Sequence, residues 1–93
     1  MYAVVVRELG DAALIDASGE ILNTNVLPQV RQAPGFISAT FMSDGSGGTL
    51  NVLTFDSEAS ATRSLEAARH APRPPFLRLE TAQVLRVLAS AEA

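Results

Sequence analysis

The chain has 93 residues, which is one domain's worth, and no cysteine, which excludes disulfides and thiolate metal sites. Ten acidic against seven basic residues give a net charge of -3, and the seven cations, all arginine, are scattered, so the electrostatic footprint of a nucleic-acid or anionic-membrane binder is missing. With 47% hydrophobic and only 18% charged residues, a domain this small carries more apolar surface than its thin core can take up, and a second copy is expected to cover the excess.

Tyr2 to Glu8, with valine at positions 4, 5 and 6, reads as a central strand that is apolar on both faces. The opening apolar run is broken at once by Arg7 and Glu8 and lacks the basic flank of a signal peptide, and no run approaches the roughly 18 apolar residues of a membrane span. A cytoplasmic protein is the expectation. Asp11 stands where an N-cap belongs. From there to Ala33, the residues Ile15, Leu22, Val26, Val30 and Ala33 fall on one helical stripe, opposite Asp16, Glu20, Asn23 and Arg31. This amphipathic helix has two weak points. Gly19 costs it up to about 1 kcal/mol relative to alanine, and Pro28 removes the hydrogen bond to the Thr24 carbonyl and should kink it. A break near Ser18-Gly19, giving two shorter helices, is the alternative.

Pro34-Gly35 stops the helix, and Phe36 to Ser43 and Thr49 to Phe55 read as a hairpin around Asp44-Gly45-Ser46-Gly47-Gly48, whose glycines supply the positive φ values of a tight reversal. If those five residues form the loop, Ser43 faces Thr49. Ile37, Ala39, Phe41, Asn51, Leu53 and Phe55 then share the core face, and Phe36, Ser38, Thr40, Met42, Leu50, Val52 and Thr54 share the other. Asp56 or Ser57 caps a helix from Glu58 to about His70, with Ala61, Leu65 and Ala68 as its apolar stripe. Pro72-Arg73-Pro74-Pro75 forces an extended connector. Leu79 to Leu88 is read as the last strand, although its leucines would also suit a helix, and Ala89 to Ala93 is expected to fray.

The order strand, helix, strand, strand, helix, strand is the split βαβ pattern of an α+β, ferredoxin-like fold spanning residues 1–93. Both helices would cover one face of a four-stranded antiparallel sheet. The open face, bearing Met42, Leu50 and Val52, would form the interface of a homodimer.

With that order in hand, Met1-Tyr2-Ala3, Gly10-Asp11, Val26-Leu27-Pro28, Pro34-Gly35-Phe36 and Phe55-Asp56-Ser57-Glu58-Ala59 resemble the dimeric α/β-barrel superfamily, and within it the antibiotic-biosynthesis monooxygenase-like group. The resemblance runs from Tyr2 to about Val87. It implies a cavity between the helices and the helix-side face of the sheet, and activities that range from cofactor-independent oxygenation of polycyclic phenols to haem degradation. Haem degraders of this kind carry an axial histidine on the second helix, where this chain has Leu65. They also have an asparagine in the first strand, which is missing here, and usually a tryptophan where this chain has Phe55. Those departures argue against haem, and no cofactor is expected.

The residues themselves offer little catalysis. His70, the sole histidine, sits at a helix end four residues after Glu66, where a surface ion pair is the simpler reading, and no metal-ligand set converges on it. Asn51 stands out as a lone amide among Ile37, Phe41, Leu53 and Phe55, which is either satisfied locally or lines a cavity. Tyr2 reads as a packing group with a wet tip. The Asp44 to Gly48 loop joins two strands and has no lysine, so it is a turn rather than a phosphate cradle. A pocket lined by Asn51, Phe55, Phe41, Leu65 and Tyr2 for a small hydrophobic ligand is the leading expectation, with no catalytic residue named. A cofactor-independent monooxygenase and a purely structural association module are the alternatives.

Overall fold

A computed structural model describes residues 1–93 as an antiparallel sheet of four strands with helices on one side. In chain order these are β1 (Tyr2–Gly10), α1 (Ala12–Asp16), α2 (Gly19–Ile21), a π-helical turn (Leu22–Val26), α3 (Leu27–Val30), β2 (Phe36–Ser43), β3 (Gly48–Phe55), α4 (Glu58–His70) and β4 (Leu77–Arg86). The strand order β2-β3-β1-β4 and the ββ hairpin between two βα units make the fold ferredoxin-like and α+β, as the residue pattern implies. No helix is long and apolar enough to cross a membrane.

Local chemistry sets the boundaries. Asp11 caps α1 by accepting from the Leu14 N–H at 3.0 Å, and Ser57 rather than Asp56 caps α4, accepting from Ser60 at 3.2 Å. The first helical run breaks at Ala17-Ser18, which decides between the two readings of that segment. Further on, the Leu27 N–H reaches back to the Leu22 carbonyl. The resulting π turn sets Pro28 at the start of α3, where its missing N–H is least costly, so the chain bends without a bare break.

The hairpin register is as expected, with Ser43 opposite Thr49 and Phe41 opposite Asn51. Asp44 builds the turn. Its carboxylate accepts from the Ser46 and Gly48 N–H groups at 2.7 and 3.0 Å, and these bonds hold its carboxyl below the usual range. Gly47, with φ of 97°, tucks against the end of β1, where the Gly10 N–H donates to its carbonyl at 2.8 Å and a Cβ would strike the Gly10 carbonyl.

One face assignment is corrected. A register shift between Phe36 and Ser38 lets Phe36 face Phe55 and join the core, while Ile37 is left 47% exposed. The reason is aromatic packing: the Phe36 and Phe55 rings meet edge-on, with centroids 6.1 Å apart. The last strand also begins two residues earlier than read from the sequence, because Leu77 pairs with Gly10.

The core is small. Val4, Val6, Leu53, Phe55, Ala61 and Leu65 form it, so α4 lies directly on β1 and β3, its alanine allowing a close approach. The first helical run adds only Val30 and Ala33 to this cluster and sits more loosely over β2.

Candidate functional site

That loose seating leaves two adjoining hollows between the first helical run and β2. One, of about 250 Å3, is lined by Leu27, Arg31, Phe36, Ile37, Ser38 and Ala39. The other, of about 140 Å3, is lined by Gly19, Leu22, Asn23, Leu27, Ala39 and Phe41. Leu27 and Ala39 belong to both, so they form one cleft with a waist. Its cause is local: Ala39 is a small side chain between Phe36 and Phe41 on β2, and the π turn overhead holds Leu22 and Asn23 at the rim.

Beside the cleft, on the helix side of the sheet, lies a buried polar cluster. Asn51, 6% exposed, is the cross-strand partner of Phe41. Its Nδ2 donates to Glu8 Oε1 at 3.0 Å, and Thr49 Oγ1 reaches the same oxygen at 3.5 Å. The other carboxylate oxygen of Glu8 takes the Arg73 Nε–H at 2.7 Å, with side chains only 11% and 16% exposed. Arg73 also donates to the carbonyls of Ala68 at 2.7 Å and Ala71 at 3.3 Å, so it ties the proline-rich connector and the end of α4 to β1. A buried carboxylate is stable here because a guanidinium faces it and its other oxygen accepts from an amide.

The five residues expected to line a pocket are placed in different surroundings. Phe41 borders the smaller hollow, and Asn51 stands next to it on β3. Phe55 and Leu65 are buried in the core, and Tyr2 packs against that core from the other end of β1. Glu8 and Arg73, the partners of Asn51, are not singled out by the sequence pattern. The available signal is Glu8 itself, which falls on the same face of β1 as Val4 and Val6. His70 is exposed and lies 3.7 Å from Glu66, the surface pairing read from its spacing.

Solved structures share this architecture. The monooxygenase from the gene ActVA-Orf6 of Streptomyces coelicolor, solved with nanaomycin D, aligns with a TM-score of 0.62 at 20% identity, over 99% of this chain and 91% of that one. HapK from Hahella chejuensis aligns at 0.66 and 13% identity, over 100% and 98%. The haem degrader MhuD from Mycobacterium tuberculosis, solved with two haems in its active site, aligns at 0.56 and 15% identity, over 99% and 100%. The chain has the ferredoxin-like fold of these proteins. No family model matches it, and no curated protein matches it. The ferredoxin-like frame explains why the polar cluster and the cleft adjoin, since both lie where the helices meet the sheet.

Haem does not fit the residues present. The only imidazole, His70, lies exposed beside Glu66 on the last turn of α4, and the inward face of that helix is closed by Ala61 and Leu65 packed on the sheet.

Proposed function

We propose that the chain binds a small, flat, hydrophobic molecule in the cleft between the first helical run and β2, and that it works as a homodimer paired through the open face of its sheet. The observation that carries the reading is the apolar cleft of Leu22, Leu27, Ala39 and Phe41 ending one strand away from the buried amide of Asn51. An apolar body with one polar anchor is the usual make-up of a small-ligand site. In a thermal-shift screen of hydrophobic aromatic compounds, a ligand at 100 times its Kd should stabilise the chain by about 2.7 kcal/mol. Ala39→Leu fills the waist of the cleft and should abolish that shift while the apo protein stays folded. If no compound raises the melting temperature, a purely structural association module is the better description.

The dimer rests on the face opposite the helices, where Val5, Leu50 and Val52 lie half-buried and Met42 and Leu85 are exposed. Two such faces packed together about a two-fold axis would remove them from water. Light scattering at micromolar concentration should give the mass of two chains, and Val52→Arg the mass of one. A wild-type chain that stays single rules the dimer out.

A second reading, a cofactor-independent monooxygenase of an aromatic substrate, is favoured by the likeness in fold to the Streptomyces coelicolor enzyme solved with nanaomycin D. In that reading the substrate supplies the electrons that reduce oxygen, and the protein's part is to orient the ring in the cleft, exclude water and bind the ionising oxygen. Oxygen uptake with a panel of dihydroxyarenes distinguishes it from simple binding.

A further inference from the structure

Resting on the cleft just proposed as a binding site, one charge in its wall bears on what it accepts. Arg31 lines the larger hollow and is the only charged residue lining either, so no carboxylate in the cleft wall neutralises it. Its backbone is fixed, because its N–H donates to the Leu27 carbonyl at 3.0 Å at the end of α3. Leu27 and Arg31 are thus one turn apart and border the same hollow. The guanidinium itself has no partner in the protein. The ion pairs of the chain join Arg69 and His70 to Glu66, and Arg73 to Glu8, and no side-chain hydrogen bond involves Arg31. Around it the lining is Leu27, Phe36, Ile37 and Ala39, with Ser38 adding a hydroxyl. A cation set in an apolar wall loses part of its water as soon as a ring fills the hollow, and the loss is offset when the ring brings an acceptor of opposite charge.

We infer that Arg31 determines the specificity of the cleft and that the ligand is an aromatic acid, its ring against Leu27, Phe36 and Ala39 and its carboxylate on the guanidinium, at the end of the cleft remote from Asn51. The planar fork of arginine matches a carboxylate in two parallel bonds. A phosphate is better served by a cluster of cations, and the cleft has one. The uncharged smaller hollow takes the far end of the ring system.

The test uses 2-naphthoate and 2-naphthamide as a matched pair, with 2-naphthylmethylammonium as the opposite charge, their affinities measured by calorimetry at low salt. The wild-type chain should bind the naphthoate about tenfold or more tightly than the amide, the worth of one charge-assisted bond, and the ammonium compound most weakly. Arg31→Met keeps an apolar stem and removes the charge, so the preference should collapse while the affinity for the amide is nearly kept. An unchanged ratio of naphthoate to amide, even if all three weaken together, is what a merely structural arginine gives, and it overturns the inference. Should circular dichroism show Arg31→Met unfolded, added sodium chloride decides on the wild type: naphthoate affinity that falls while amide affinity holds supports the pairing, and equal responses refute it. Ala39→Leu, which fills the waist of the cleft, should abolish binding of all three. Naphthoate binding that survives it places the anion on the outer surface and refutes the assignment. Equal wild-type affinities for naphthoate and amide refute the selection while leaving the binding site standing. Failure of all three to bind removes the site and the inference together.

Discussion

Phe55→Ala should destabilise the chain by about 3–5 kcal/mol, read as a fall in the urea midpoint with little change in slope. Phe55 has no exposed surface, meets Phe36 edge-on and sits among Val4, Leu53, Ala61 and Leu65. Its removal opens a cavity that neighbours fixed in a sheet cannot close. Domains of this kind are typically stable by about 5–15 kcal/mol in all, so the variant should be largely unfolded at temperatures the wild type tolerates. Phe41→Ala, which trims a half-buried ring at the edge of an open hollow, should cost well under half as much. Equal losses at the two positions would contradict the division into a closed core under α4 and an open cleft under the first helical run.

Arg73→Ala should cost about 3 kcal/mol or more, from a residue in a connector that composition alone marks as a spacer. The loss exceeds that of a surface ion pair because Glu8 remains on the helix side of the sheet, bonded to Asn51 and Thr49 but without its counter-charge. Three further bonds disappear with the guanidinium: the one to Glu8 and those that hold the carbonyls of Ala68 and Ala71. The double variant Glu8→Leu, Arg73→Met should recover much of the stability, since an apolar pair of similar size needs no partner. A double variant as unstable as Arg73→Ala would show that the connector bonds, and not the buried charge, carry the effect. Hydrogen exchange gives an independent reading, as amides from Ala71 to Leu77 should exchange faster in Arg73→Ala while those of β1 and β3 keep their protection.

Two short-range features are legible in the amino-acid order alone. The Asp44 to Gly48 loop sets the hairpin register, because five residues with positive-φ glycines and an aspartate able to accept from Ser46 and Gly48 leave few ways to reverse direction. The caps at Asp11 and Ser57 belong to the same class, each a side chain bonding to a backbone three residues away. Interactions that close within a few residues are encoded where they act, and from them the strand and helix order follows, with the ferredoxin-like fold as its consequence.

Longer-range features are not legible in this way. The move of Phe36 onto the core face depends on a ring 19 positions along the chain, since it is the contact with Phe55 that favours the shifted register. Asn51 can be marked as an amide on an apolar face, yet its partner Glu8 is 43 residues distant, and the partner of Glu8, Arg73, is 65. No periodicity or spacing joins a strand residue to a cation in a proline-rich connector. Only the return of β4 alongside β1, carrying that connector over the end of the sheet, brings the three together. Local bonding thus wrote the order of elements into the chain, whereas the polar cluster and the cleft beside it exist because distant segments, each ordinary when taken alone, are packed against one another.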